Sequence, residues 1–342
     1  MLENKIKQVS PVMPSSLTQR LQFNKIDRRW IYPTLVILIY IVWASYMTLS
    51  DNWVLFQEFW PVSVTMALGS VIAGATPQGG ATVAFPVFTK VLHIASHDAR
   101  TFGLMIQAVG MTMAAVFIYV RRIPVLLHVI GWVSVGGAVG VIAGAFIGQM
   151  PGPYPKILFT FATTAFGVAL VLSRWVLKSS PRNDIAGWGN GHRFVFALTG
   201  IFGGFFAANT GAGTDMFAFI LLTLAFGVNE KISTPTTVII MGINSVVGFA
   251  LYAALPGEIG PAWNYWLVAV PIVILGAPLG ALITSRIKRD YLILFILFLT
   301  GVELTTTIWL VPFNQTMIRV AIITIIACAL SFWGMLSYRN RQ

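Results

Sequence analysis

The stretch that decides the fold runs from Ile31 to Leu49 and reads IYPTLVILIYIVWASYMTL, nineteen residues without a charge. Because a helix rises about 1.5 Å per residue, about 20 apolar residues cross the hydrocarbon core of a bilayer, which is roughly 30 Å thick. This segment is therefore long enough to span a membrane. Many further segments of the same kind follow it along the chain.

The composition of the whole chain agrees with a membrane protein. Of its 342 residues, 57% are hydrophobic and only 10% are charged, and the mean hydropathy is +0.80. A soluble globular domain carries about 25% charged residues, which it needs to cover its water-facing surface. The composition excludes that class and predicts an all-α polytopic membrane protein, with about 10–12 transmembrane or re-entrant segments.

The distribution of lysine and arginine predicts the orientation of these segments. If twelve segments alternate across the membrane, 18 of the 22 Lys and Arg residues fall on the side of the termini and 4 on the other. Cytoplasmic loops carry an excess of these residues. We therefore expect both termini in the cytoplasm of a bacterium and the chain in its inner membrane. The net charge of +11 then reflects orientation, and no nucleic acid is expected as a partner.

Two glycine-rich stretches belong to an internal repeat. Gln78–Phe85 aligns with Thr210–Phe217 at an offset of 132 residues (210 − 78). Further glycines match at offsets of 132 or 136: Gly110 with Gly242, Gly140 with Gly276 and Gly144 with Gly280. Each copy crosses the membrane an odd number of times, whether its glycine-rich stretch turns between two full spans or within a re-entrant hairpin. The copies therefore face opposite ways, an inverted-topology repeat typical of many secondary transporters.

The repeat divides the chain into five parts. They are a basic cytoplasmic extension at 1–30, an extra span at 31–50, the first copy at 59–178, the second copy at 193–311 and a terminal span at 316–337.

Each copy contains a tip of small and polar residues ahead of a short apolar segment. The first tip is Ala75–Thr82 and the second tip is Asn209–Asp215. Glycine lets the backbone come close to a ligand, and the first N–H groups of the following helix have no partner within that helix. Two inverted tips therefore predict an anion site near the membrane midplane. The alternative is that the tips are tight turns in which glycine serves packing alone.

This order of tip, short apolar helix with Pro86, polar turn and long span, repeated once, resembles the TauE/SafE family. The resemblance covers about residues 59–311 and is closer in the second copy, where Gly200–Phe206 leads to Gly213. The first copy has Thr76–Gly80 (TPQGG) where the family usually has Gly-x-Gly-Gly-Gly. The resemblance implies a secondary transporter that exports sulfite or an organosulfonate such as sulfoacetate.

The predicted substrate-binding residues come from the tips and from the span that follows the first tip. The side chains expected to donate hydrogen bonds to anion oxygens are Gln78, Thr82, Asn209, Thr210 and Thr214. The glycines expected to present backbone N–H groups are Gly79, Gly80, Gly211 and Gly213. Gln107 lies about two turns into the next span and could reach the same cavity. The alternative for each polar side chain is a bond to its own local backbone.

Asp215 and Glu303 are the carboxylates placed well inside apolar segments, and both are candidates for a role in ion coupling. For Asp215 the alternative is a capping role, because it stands in the first turn of a helix. For Glu303 the alternative is a bond to a neighbouring helix. Arg100 lies toward the outer face, where its side chain is expected to extend to the membrane surface.

Other classes of protein are disfavoured by the same residues. The four histidines have no spacing that resembles a zinc site, and no phosphate-binding loop of the Walker type is present, so neither a metal nor a cofactor is expected. The expected partners are a small anion and the lipid bilayer, and a homodimer stays open. Three alternatives stay open for the function: an anion channel, a transporter of another small organic anion such as a carboxylate, and an intramembrane enzyme, which is the least favoured.

Overall fold

The computed structural model describes residues 28–77, 79–80, 84, 87–147, 150, 154–172, 175 and 181–339. The regular elements in these ranges are helices, and one isolated β-bridge joins Arg182 to Val228. Eight of the described helices are long and apolar enough to cross a membrane, and a ninth is added if Asn52–Glu58 and Trp60–Ala75 form one bent span. The prediction of an all-α polytopic membrane protein is confirmed.

The helices are numbered here in chain order. They are α1 (Arg28–Leu49), α2 (Leu55–Glu58), α3 (Trp60–Ala75), α4 (Ser96–Arg121), α5 (Leu127–Ile147), α6 (Tyr154–Val171), α7 (Asn190–Thr210), α8 (Thr214–Ile220), α9 (Glu230–Ala254), α10 (Ala262–Arg286), α11 (Arg289–Leu310) and α12 (Gln315–Arg339). A single turn of π-helix, Leu221–Ala225, continues α8 and is called here the π-turn. A second turn of π-helix, Val87–Val91, follows the first tip.

Helices at matching positions in the two copies pack against each other in opposite directions. Along α4 and α9, Leu104 contacts Gly248 and Met111 contacts Gly242, so residue numbers rise along one helix as they fall along the other. Along α6 and α11, Thr160 contacts Glu303 and Gly167 approaches Leu297 and Thr300, which gives the same antiparallel order. Antiparallel packing of equivalent helices is the arrangement that an inverted-topology repeat requires.

Glycines bring two further helix pairs into close contact, and each pair joins a helix of one copy to a helix of the other. A Cβ added at Gly140 of α5 would lie 2.1 Å from the carbonyl oxygen of Ile201 on α7. A Cβ added at Gly280 of α10 would lie 2.1 Å from the carbonyl oxygen of Val71 on α3. In lipid, helices associate through such close backbone packing because there is no water to exclude between them.

The chain segments before and after each tip come close together at their far ends. In the second copy, the ring of Phe196 near the start of α7 lies 5.3 Å from the ring of Phe226, just after the π-turn. In the first copy, the ring centre of Tyr265 lies 5.1 Å from that of Phe59, before the tip, and 6.4 Å from that of Phe88, after the tip. The returning arm of the second hairpin, Thr214–Ala225, is shorter than the about 20 residues of a full span.

The first helix completes the hydrogen bonding of α10, which contains two prolines. Pro271 cannot donate to the carbonyl of Leu267, four residues earlier, and the indole Nε1 of Trp43 donates to that carbonyl at 2.8 Å. Pro278 stands in the same relation to Ile274, whose carbonyl accepts from the Tyr32 hydroxyl at 3.2 Å. The extra span therefore packs against the second copy. Of the predicted extension 1–30, only Arg28, Arg29 and Trp30 lie within the described residues, and the division of the chain into five parts stays a prediction.

Candidate functional site

The two tips meet at Gly79 and Asp215. Gly79 has a φ of +64°, and a Cβ added there would lie 3.2 Å from the Gln107 Oε1 and 3.3 Å from the Asp215 Oδ2. The backbone of the first tip therefore passes between a side chain of α4 and a side chain of the second tip. Only a glycine gives the backbone this conformation without strain and leaves room for both neighbours.

The second tip is held in place by α4. The Nε2 of Gln107 donates to the carbonyl oxygen of Gly211 at 2.6 Å and to that of Gly103 at 3.0 Å. Gly211 ends α7 with a φ of +82°, and Gly213 precedes α8 with a φ of +136°. Both values lie in the region that L-residues rarely adopt, so the turn depends on glycine at these two positions.

Four buried side chains around the tips carry a polar atom that has no hydrogen-bond partner among the described residues. These atoms are Ser70 Oγ, Gln107 Oε1, Thr214 Oγ1 and Asp215 Oδ2. Each of the four residues is at most 4% exposed. Buried polar atoms in native proteins are nearly always hydrogen-bonded. A concentration of unpartnered ones in one place is therefore typical of a site that binds a polar ligand.

A small cavity opens between the tips and the surrounding helices. Its volume is about 20 Å³, which is room for roughly one water molecule. The polar side chains and backbone that line it include Ser70, Gly80, Gln107 and Thr210. The cavity is therefore too small for an anion such as sulfite in this conformation.

The structure brings most of the predicted residues together. Two of their side chains, those of Asn209 and Thr210, are hydrogen-bonded to the protein backbone. The Oδ1 of Asn209 accepts from the Met150 backbone N–H at 2.7 Å, and its Nδ2 donates to the Phe205 carbonyl at 2.9 Å. The hydroxyl of Thr210 donates within the tip, to the carbonyls of Phe206 and Ala212. Both side chains bond the backbone around the second tip, as the alternative for these polar side chains predicts.

The remaining predicted residues fall into three groups. Those at the meeting point of the tips are Gly79, Gly80, Gln107, Gly211, Gly213, Thr214 and Asp215. Glu303 lies apart from them, between α6 and α11, where it contacts Thr160. Gln78 and Thr82 lie outside the described residues.

The carboxyl group of Asp215 is fully buried at the start of α8. Its Oδ1 accepts from the N–H of the next residue, Met216, at 3.0 Å. The N-cap position itself is Gly213, and no side chain caps the helix there. A capping role accounts for one oxygen of this carboxyl group, and the other oxygen faces the first tip.

The sequence analysis missed Ser70 in the site region and expected different surroundings for Arg100. Ser70 lines the cavity from α3, and a single serine in an apolar helix gives no signal because its hydroxyl usually bonds its own backbone. Arg100 was expected at the membrane surface, and that expectation is wrong. Arg100 is 5% exposed, its guanidinium lies 3.1 Å from the Glu258 carboxylate, and it covers the Tyr252 ring at 5.2 Å.

Arg100 also supports the second tip. Its backbone carbonyl is only 2.8 Å from the position that a Cβ on Gly211 would occupy. The neighbouring Tyr252 donates from its hydroxyl to the Ala208 carbonyl at 2.9 Å, close to the end of α7. The backbone of α4 at Arg100 and the Tyr252 side chain of α9 therefore both pack against the end of α7 and the second tip. Among the described residues, no group of three or more His, Cys, Asp or Glu side chains is placed to hold a metal ion.

A family model matches most of the chain. The model described as Sulfite exporter TauE/SafE matches residues 62–305, which is more than half of the chain and includes both tips. No curated protein and no solved structure matches the chain.

Proposed function

The chain belongs to the sulfite exporter TauE/SafE family, whose members are membrane transporters of sulfur-containing anions, and we propose that it exports sulfite or an organosulfonate such as sulfoacetate by secondary transport. The observation that carries this proposal is the meeting of the two tips at Gly79 and Asp215. In an inverted repeat, such a meeting point is where the substrate site of a secondary transporter is found. The membrane concerned is the bacterial inner membrane, with both termini in the cytoplasm.

The donors at this point suit the oxygens of a sulfonate or sulfite group. The hydroxyls of Ser70 and Thr214 are buried without a partner among the described residues, and each can donate one hydrogen bond. The tip glycines add backbone N–H groups that a ligand can approach closely. Gln107 lines the cavity, but its N–H groups already hold Gly211 and Gly103, so it is not proposed as a donor to the anion. It positions the second tip.

Asp215 limits the form in which the anion binds. An ionised carboxylate repels an anion at contact distance, and the repulsion is strong where no water screens it. We therefore propose that Asp215 carries a proton when the anion is bound. A protonated carboxyl group has an O–H donor, which turns its unpartnered oxygen into a further binding group.

The driving force for export needs no ATP hydrolysis. With the cell interior negative, an anion that moves outward gains about 2.3 kcal/mol per charge per 100 mV. Because the cavity holds only about 20 Å³, we propose that the tips and the neighbouring helices move apart to admit the anion. The activity is a transport activity, and no chemical step is assigned to these residues.

Transport by the purified protein in proteoliposomes tests this proposal. We expect saturable flux of labelled sulfite or sulfoacetate, and weak flux of sulfate or of a small carboxylate. The matched variants are Ser70→Ala, which removes a hydroxyl from the cavity, and Thr199→Val, whose exposed hydroxyl bonds only the Val195 carbonyl. Ser70→Ala should weaken the flux and Thr199→Val should not. A conductance that rises linearly with voltage makes the protein a channel, and a preference for carboxylates excludes the proposed substrate.

A further inference from the structure

A second group of buried polar side chains lies between α6 and α11, apart from the tips. Its centre is Glu303, which is 3% exposed. The Oε1 of Glu303 accepts hydrogen bonds from the hydroxyls of Thr160 at 2.8 Å and Thr307 at 3.2 Å. Its Oε2 has no hydrogen-bond partner among the described residues. Sulfur anions are not suited to this place, because a carboxylate repels them and the two hydroxyls are already turned toward it.

The hydrogen atoms in this group do not suffice for its contacts. The hydroxyl oxygens of Thr160 and Thr307 also lie within 2.9 Å of each other, so three oxygens form three contacts at hydrogen-bond distance. Each hydroxyl supplies one hydrogen and an ionised carboxylate supplies none. Only two hydrogen atoms are available for three oxygen–oxygen contacts. One pair of these oxygens therefore lies at hydrogen-bond distance with no hydrogen between them. A further proton, or a metal cation coordinated by these oxygens, completes the group.

The charge of Glu303 leads to the same requirement. An ionised carboxylate buried at membrane depth is costly unless a positive charge accompanies it. The described residues form no ion pair with Glu303. The titratable groups on α6 are Tyr154 and Lys156, near its start. Those on α12, which packs against α6, are Arg319, Cys328, Tyr338 and Arg339. Lys156 and Arg339 each have a contact within the protein. On α9 the titratable side chains are Tyr252, bonded to Ala208, and Glu230 and Lys231 at the helix start.

From these three observations we propose that Glu303, Thr160 and Thr307 form a binding site for a small monovalent cation, either a proton or Na⁺. The oxygen-only ligand set suits such a cation, because carboxylate and hydroxyl oxygens are hard donors. The site is separate from the anion site and its existence does not depend on which anion is transported.

The packing connects this cation site to the tips. Phe166 lies on α6, less than two turns after Thr160, and its ring is 5.6 Å from the ring of Phe219 on α8. The same apolar cluster contains Met216, whose N–H bonds the Asp215 carboxyl group. A cation that draws α6 and α11 together therefore acts on the helix that carries Asp215. Ion coupling of transport through this contact rests on the proposed function, whereas cation binding does not.

Thermal unfolding of the purified full-length protein in detergent tests the site directly. The unfolding midpoint is measured in NaCl and in choline chloride at equal ionic strength, at about pH 6 and about pH 8, because a ligand that binds the native state raises the midpoint. The variants are Glu303→Gln, Thr160→Val and Thr160→Ser. The matched control is Thr305→Val on α11, whose exposed hydroxyl bonds only the Gly301 carbonyl.

A sodium site predicts a higher midpoint for the wild type in NaCl than in choline chloride. A proton site predicts a midpoint that falls from pH 6 to pH 8 in both salts, since the native state then binds more protons than the unfolded state. In either case Glu303→Gln and Thr160→Val should lose at least half of the shift, whereas Thr160→Ser and Thr305→Val should keep it. If Glu303→Gln does not fold, Thr160→Val carries the test.

The proposal is overturned if Glu303→Gln, or Thr160→Val in its place, shows the same response as the wild type to both salt and pH. It is also overturned if the wild type responds to neither. Sulfite binding to Glu303→Gln, measured separately, keeps the two proposals distinct. A variant that binds sulfite but no longer responds to cations supports both, and a protein that responds to cations but binds no sulfur anion contradicts the proposed function alone.

Discussion

The side-chain amide of Gln107 donates to the carbonyl oxygen of Gly211 at 2.6 Å, so that a helix of the first copy holds the tip of the second. The contact crosses between the copies at the point where both tips meet. It makes the geometry of the site depend on one buried side chain, and it is the structural basis of the first prediction.

Gln107→Met keeps the length of the side chain and removes its donors. Because the Gly211 carbonyl then loses its hydrogen bond in a buried place, we expect the free energy of unfolding to fall by about 1–3 kcal/mol. Flux in proteoliposomes should fall further than this loss of stability explains, since the second tip is no longer positioned. The control is Thr199→Val, measured by the same unfolding and flux assays. Normal flux in Gln107→Met would show that the tip keeps its position without this contact.

Gly79→Ala and Gly213→Ala should each abolish flux while the protein still inserts into the membrane. Both glycines have a positive φ, which costs an L-residue roughly 1–2 kcal/mol. The added methyl group at Gly213 would also lie 2.7 Å from the Phe206 ring. Gly131→Ala on α5 is the matched control, because no atom lies within 4 Å of its added Cβ. Wild-type flux in both tip variants would show that the tips are turns without a role in substrate binding.

The sequence predicted the architecture better than the roles of single side chains. Long uncharged segments and glycines at a fixed offset report on membrane spans and on close helix packing, and both depend on residue type alone. The role of Asn209 could not be predicted, because its amide bonds Met150 and Phe205 and a sequence does not show which neighbour comes near. For the same reason Arg100 was expected at the surface, although Glu258 from a distant loop pairs with it.

Trp43→Phe should loosen the first helix from α10. The substitution keeps most of the apolar surface but removes the indole N–H that serves the carbonyl of Leu267. Pro271 leaves that carbonyl without a helical donor, and lipid offers none, so we expect a loss of about 1–3 kcal/mol in unfolding free energy. Trp333→Phe is the control, because Trp333 is 72% exposed on α12. Equal unfolding midpoints for the two variants would contradict the assigned role of Trp43.

Reporter fusions should place the loops on the sides that the charge distribution predicts. A fusion after Arg182 and one after Lys288 should both report the cytoplasm, and one after Gly257 should report the external side. The reason is the excess of Lys and Arg near the first two sites. Since α9 begins beside Arg182 and ends before Gly257, the same side for these two fusions would contradict the inverted repeat.

Asp215 gives the last prediction, because the capping role and the proton-binding role lead to different results. If the proton on Asp215 is needed for the anion to bind, flux of the wild type should fall as pH rises, since deprotonation removes a donor and adds a negative charge. Asparagine has an N–H donor in every state, so Asp215→Asn should retain potential-driven flux and show a weaker dependence on pH.

Asp215→Ala separates the two roles further. Without any polar group at this position, the Met216 N–H loses its acceptor, and the meeting point of the tips loses the donor that a protonated carboxyl group or an amide provides. We expect a loss of about 0.5–2 kcal/mol in stability together with loss of flux at every pH. If Asp215→Asn instead loses concentrative flux while exchange of labelled substrate continues, the carboxyl group must release its proton during the transport cycle, and Asp215 is then a coupling residue.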